Sequence, residues 1–147
     1  MVAALLALLV VALPNTKATF SLEDSWKATP AAAIVAAYRG PRGETLAVTR
    51  AQVPNADAWR EKTRAKYIDD VERGALAAIK GGKRIAHKVG EANGVPVLDL
   101  EVRRGDGATI VLRYLLFRTY ALALAIEVPR GGTSGEARTI AATFAPP

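Results

Sequence analysis

The chain has 147 residues, half of them hydrophobic, with no cysteine, one histidine and a formal net charge of +6. That length suits one domain with a real core, and the composition is not that of a disordered polymer. Disulfides, thiol catalysis and cysteine-ligated zinc are excluded, and with His87 alone so is a histidine-rich metal site within one chain.

Met1 to Leu13 (MVAALLALLVVAL) is uninterrupted and apolar. It is short of the ~20 residues a membrane-spanning helix needs, but it matches the apolar core of a signal peptide. Thr16 and Ala18 supply the small residues that cleavage before Thr19 requires. Residues 1–18 therefore read as a signal peptide and residues 19–147 as a single exported domain, periplasmic or secreted. The competing reading is an N-terminal helix buried in the domain or against a partner. No basic residue precedes the apolar run, which fits a start inside a longer leader. There is no lipobox cysteine, so the product is released or held by an uncleaved leader, and membrane contact is confined to this segment. Without the leader, 19 basic residues face 14 acidic ones, a charge of +5. That balance favours acidic partners such as anionic lipid, nucleic acid or cell-wall polymer, as a matter of long-range field alone.

Thr19-Phe20-Ser21-Leu22 predicts a short strand, followed by a turn that ends on Trp26. Ala31 to Arg39 and Glu44 to Val53 predict a hairpin around Gly40-Pro41-Arg42-Gly43. Val53-Pro54-Asn55 then breaks the sheet, and Asn55 or Asp57 caps a long helix from about Ala56 to Ile79. Ile68, Val71, Ala75, Ala78 and Ile79 recur at helical spacing and form its sheet-facing stripe. Arg60, Lys62, Lys66, Asp69, Asp70 and Arg73 fall mostly on the solvent side, with Lys66 and Asp70 spaced as an i,i+4 pair. Gly81-Gly82 ends the helix.

Four strands in succession follow. Lys83 to about Glu91 is the first, and Asn93-Gly94 is a type I′ hairpin signal into the second. In that second strand Val97, Asp99 and Glu101 alternate with Leu98, Leu100 and Val102, which predicts one wet face and one buried face. The turn Arg104-Gly105-Asp106-Gly107 leads into Ala108 to Phe117, apolar on both faces and therefore a covered central strand. The last strand, Tyr120 to Val128, sets large residues against an alanine face that lets a helix approach closely. A membrane helix over Ile110–Val128 is rejected, because Arg113, Arg118 and Glu127 would each be costly in lipid. Ser134 or Thr133 caps a final short helix through Ala142, with Ile140 and Phe144 as its apolar contacts. The fold class is α+β: a mainly antiparallel sheet of about six to seven strands with one long helix and a short C-terminal helix packed on it.

This order resembles the PsbP-like superfamily, which includes the yeast Ran-binding nuclear-import factor and bacterial exported proteins of the DcrB and LpqN type. The resemblance is carried by Phe20-Ser21-Leu22 close before Trp26 and by the Leu46–Val53 strand passing through Pro54 into one long helix. Val95-Pro96-Val97 after a glycine turn, the meander, and the closing Ile140…Thr143-Phe144 complete it, over essentially all of Thr19 to Phe144. The family's Pro-x-Gly-Trp is represented only by Asp24-Ser25-Trp26. The resemblance implies an α/β/α sandwich and a non-catalytic binding or assembly module. Its members share no one set of functional residues, so none is carried over, and no cofactor is implied.

The densest basic run is KGGKRIAHK, with Lys80, Lys83, Arg84 and Lys88 around His87. It is the candidate contact for an anion or partner, although the Walker spacing is absent and edge lysines that discourage strand pairing explain it equally. Arg104-Gly105-Asp106 spells an integrin-recognition tripeptide but reads first as a hairpin turn. Asp99 and Glu101 share a face and could pair as acid and base, yet nothing positions a third group. Trp26, Tyr38, Trp59 and Tyr67 are candidate pocket walls, with core packing the favoured account. Aromatic residues are not interleaved with the basic run, so no specific nucleic-acid platform is expected. The leading function is an exported, non-enzymatic module that binds a protein or an anionic envelope component. One alternative is an enzyme or binder acting on an anionic small molecule in a sheet–helix cleft. Another is a basic nucleic-acid or lipid-surface binder. A dry sheet–helix interface would argue against the enzyme, whereas Asp99, Glu101 and Arg113 converging in a cleft would favour it.

Overall fold

The computed structural model describes residues 8–13, 16, 18–30, 35–52 and 58–147. Within them the strands are β1 (Leu8–Ala12), β2 (Thr19–Glu23), β3 (Lys27–Ala28), β4 (Ala36–Arg39), β5 (Thr45–Gln52), β6 (Lys83–Ala92), β7 (Val95–Arg103), β8 (Thr109–Leu116) and β9 (Tyr120–Val128). The helices are α1 (Glu61–Ala78) and α2 (Gly135–Thr143). Seven strands form one antiparallel sheet in the order β3-β4-β5-β9-β8-β7-β6, and β1 and β2 form a separate pair.

The turns that link the meander follow from their residues. Asn93 and Gly94 both have positive φ, 48° and 80°, which is the type I′ geometry the Asn-Gly pair favours. Gly81, at φ +66°, takes the left-handed conformation just past the end of α1. Asp106 holds the next turn by accepting from the Ala108 amide at 3.1 Å and pairing with Arg104. The segment 110–128 is two paired strands, with Leu112 opposite Ala125 and Arg113 opposite Leu124.

Two cores lie on the two faces of the sheet. On one face Leu98, Leu100, Val102, Leu112 and Leu116 pack with Ile68 of α1, and Ala121 and Ala125 let the helix approach. On the other, Leu46, Val48, Val97, Val111, Leu115, Leu122, Leu124 and Ile126 pack with Phe20 and Leu22 of β2 and Ile140 and Phe144 around α2. Phe20 meets Tyr38 and Phe144 edge to face.

Several expectations need correction. The long helix begins at Glu61 rather than near Ala56, because the buried Ala58 and half-buried Trp59 form a 3₁₀ turn anchored by Trp59 Nε1 donating to the Leu116 carbonyl at 2.9 Å. Its N-cap position is Arg60, without a side-chain cap, while Asn55 and Asp57 lie outside the described residues. Ala78 is exposed, and the sheet-facing stripe instead includes Leu76 and the buried Glu72. Asp70 lies 3.4 Å from Arg73, the i,i+3 neighbour. Ser134 sits at the N-cap of α2 but spends its hydroxyl elsewhere, on Glu101. The expected wet face of the second meander strand is largely covered: Val97 is buried and Glu101 is only 7% exposed, because α2 crosses that side, and Asp99 alone stays half-buried between them.

Leu8–Ala12, within the apolar N-terminal run, is a strand in this structure rather than a helix. β1 pairs antiparallel with β2 from Leu8↔Glu23 to Ala12↔Thr19. Leu13 and Ala18 are buried, whereas Leu9 and Val10 are exposed. Residues 1–7, Pro14, Asn15 and Lys17 lie outside the described residues.

Candidate functional site

β6 closes one end of the seven-stranded sheet, paired with β7 on one side only. Almost its whole length is exposed, including two large apolar side chains, Ile85 at 48% and Val89 at 44%. The register shifts between Arg84 and Ala86, a bulge that leaves Ile85 without a cross-strand partner. Isolated basic residues on such an edge discourage pairing, but exposed Ile and Val do the opposite.

The structure divides the basic run rather than gathering it. Lys80 follows α1, where its carbonyl accepts from the Gly105 amide at 3.0 Å. Arg84 and His87 turn toward α1, where Glu72 accepts from Arg84 Nη1 at 3.1 Å and lies 2.9 Å from His87 Nδ1. Lys83 stands opposite Arg103, and Lys88 stands opposite Asp99. The run thus serves two faces. Glu72 was missed at the sequence level, although its spacing four residues after Ile68 places it on the buried stripe.

On the α2 side of β6, β7 and β8 lies an open cleft of about 410 Å³. Ala86, Val111, Ala141 and Ala142 supply its apolar lining, and Leu100 and Leu112, whose side chains pack toward α1, border it through the strand backbone. Its polar side chains are Lys88, Asp99, Glu101, Arg113 and Arg138. Asp99, Glu101 and Arg113 therefore do converge. The register explains it: Asp99 pairs with Arg113 across β7 and β8, and Glu101 is two residues along on the same face.

The two carboxylates are not equivalent. Glu101 accepts from Ser134 Oγ at 2.8 Å, Arg138 Nε at 2.9 Å and Arg138 Nη2 at 3.2 Å. The Arg138 hydrogen bond first, and Ser134 with it, holds the Glu101 carboxyl below its ordinary value against the effect of burial. Burial pushes Asp99 the other way, above its ordinary value, despite the attraction of Arg113 and Lys88. Its nearest ion-pair contact is Arg113 Nη1 at 3.7 Å, beyond hydrogen-bond range. Arg113 Nε is fully enclosed and has no hydrogen-bond partner. Glu101 is thus committed to tying α2 to the sheet, while Asp99 and Arg113 remain under-satisfied. Ser134 was legible only as a cap, and Arg138, four residues further on, was not singled out at the sequence level.

The other sequence candidates are structural here. Trp26 is buried, its indole N–H donating to Glu136 Oε1 at 3.0 Å. Arg104 bridges Asp106 and Glu127, which accounts for the Arg-Gly-Asp turn. Trp59 lies under the Arg118 guanidinium, 4.5 Å from the ring centre. No group of acidic or histidine side chains suited to a metal ion occurs among the described residues. Nor is any helix among them long and apolar enough to cross a membrane.

A seven-stranded antiparallel sheet, with a long helix on one face and a short helix and strand pair on the other, defines an α+β sandwich. More specifically, the chain has the PsbP-like fold. It superposes on the solution structure of cyanobacterial PsbP (CyanoP) from Synechocystis with a TM-score of 0.67 and 12% identity, over 100% of this chain and 98% of that one. A protein of unknown function from Pseudomonas aeruginosa gives 0.52 at 12% identity, over 90% and 89% of the two chains. A Bacteroides thetaiotaomicron protein gives 0.53 at 9% identity, with 88% of this chain matching 45% of that one. At these identities the likeness shows the fold alone. No family model and no curated protein matches the sequence.

Proposed function

We propose that this protein is an exported, non-enzymatic binding or assembly module of the cell envelope, which takes an acidic protein segment along the β6 edge. The observation that carries the reading is the ten-residue β6, exposed at every residue but its last, with Ile85 and Val89 presented to solvent. An extended partner can add to such an edge through main-chain hydrogen bonds, with side-chain contacts supplying specificity. Lys83 and Lys88 on the same strand favour an acidic partner. A non-catalytic role is supported by Glu101, whose three hydrogen bonds tie it to α2 and leave it poorly placed as a free base.

Export is supported by the apolar run through Leu13 and the small residues Thr16 and Ala18. Ala18 is fully buried and Thr19 exchanges hydrogen bonds with Ala145 at 3.1 and 3.0 Å, so cleavage must precede folding. It would remove β1 and leave β2 held by Ala145, Thr143 and the core side chains Phe20 and Leu22.

The test is affinity capture from the envelope fraction with the wild type and with an Ile85→Glu/Val89→Glu variant, which removes the apolar contacts and repels an acidic segment. The variant should lose the co-purifying protein while keeping its melting temperature, and wild-type capture should weaken with salt as exposed charges are screened. Equal capture by both proteins would overturn the β6 assignment.

A further inference from the structure

Beyond the β6 edge, we propose that the cleft between α2 and strands β6–β8 binds a small monocarboxylate, its carboxylate held by Arg113 and its apolar tail lying along Val111, Ala141 and Ala142. The volume, about 410 Å³, lies within the range of small-ligand sites, as does a mainly apolar wall with a few convergent polar groups.

The sign of the ligand follows from the charges. Lys88, Arg113 and Arg138 line the cleft against Asp99 and Glu101. Arg138 and Glu101 neutralise each other through paired hydrogen bonds at 2.9 and 3.2 Å. That leaves Lys88 and Arg113 facing Asp99 alone, a surplus of one positive charge in a space with apolar walls. A monoanion completes it.

The chemical group follows from Arg113. A guanidinium presents five N–H donors in a planar fork, a geometry that a carboxylate meets with two parallel hydrogen bonds. Arg113 is 14% exposed, its contact with Asp99 is 3.7 Å, and its Nε is enclosed without a partner. A buried guanidinium with so few acceptors is an unfavourable arrangement unless something else supplies them. Asp99 forms an ion pair with Arg113 at 3.7 Å but no hydrogen bond, so it offsets charge without filling the donors. A ligand carboxylate entering beside Arg113 supplies two oxygens at once. An alcohol could not match the charge, and an amine would oppose it.

The probe is hexanoate, with hexylammonium and hexanol as controls, titrated into the full chain and followed by amide NMR shifts. Hexanoate should shift Val111, Ala141 and Ala142 in a saturable manner, and each control should bind about tenfold more weakly or not at all. Arg113→Met should weaken hexanoate binding by about tenfold or more. Because Arg113 is central in the sheet, that variant could fail to fold, so Ala142→Trp provides a second test. Ala142 is exposed at the cleft wall, and an indole there should occupy the tail site and abolish binding with the melting temperature unchanged. The proposal is overturned if hexanoate produces no saturable shift at millimolar concentration, if hexylammonium binds as well, or if binding survives the tryptophan plug.

Discussion

Replacing Leu124 with alanine tests the core on which both candidate surfaces depend. Leu124 is on β9, 0% exposed, and packed in the face covered by β2 and α2. The substitution removes three carbons, worth about 2.4 kcal/mol at ~0.8 kcal/mol per buried methylene. Strand pairing on both sides, to Val48 and Arg113, limits collapse of the backbone around the gap. A residual void of about 60 Å³ at ~24 cal/mol per Å³ adds about 1.4 kcal/mol, for a total near 4 kcal/mol. Leu112, 7% exposed, is on the opposite face beneath α1, and the helix can settle toward a smaller side chain there. Its loss should fall at the lower end, about 2 kcal/mol. Urea unfolding followed by tryptophan fluorescence measures both, with an unchanged slope confirming a comparable unfolded state. Losses below about 1 kcal/mol for both would refute the placement of these strands at the centre of the sheet.

The Glu101 carboxyl is held below its ordinary value, so its contribution is full above the unfolded value and is lost as pH falls through the folded one. Glu101→Gln should therefore flatten the fall in melting temperature below about pH 4.3, and parallel curves for the two proteins would contradict this. Arg84→Glu would set a second acid against the buried Glu72, now 3.1 Å from Arg84, and should cost about 1–3 kcal/mol. Lys83→Glu should stay within about 0.5 kcal/mol, and equal losses by denaturant titration would refute the division of the basic run. The mature protein recovered from cells should begin at Thr19; intact mass showing Val2 retained on a cytoplasmic protein would end the export reading.

The sheet was legible because its signals are local. Alternation in 97–102, the Asn93-Gly94 turn and the alanine face of the last strand each depend on neighbours a few residues away. The helix start was misplaced for the same reason. Pro54 and Asn55 are valid local signals, but Trp59 is drawn into a hydrogen bond with Leu116, a partner 57 residues distant. The candidate site was less legible than the fold. Lys80, Lys83, Arg84 and Lys88 read as one basic run, yet strand alternation and the bulge after Arg84 send them to different faces.

By itself, the sequence determined the α+β class, the order of the elements other than β1 and β3, and the two apolar faces of the central strand β8, because periodicity and turn chemistry act over short range. Tertiary structure alone decided what covers each face. α2 arrives from 33–37 residues beyond Glu101 to bury a carboxylate that alternation assigned to solvent. The same crossing leaves Asp99 and Arg113 in a partly closed cleft, near enough to share a field and too far apart to satisfy each other. It also decided the state of Leu8–Ala12, whose apolar run suits a leader and, in the folded chain, equally suits a strand against β2. Hydrophobicity is a property of the residues, but the partner that buries them is a property of the fold.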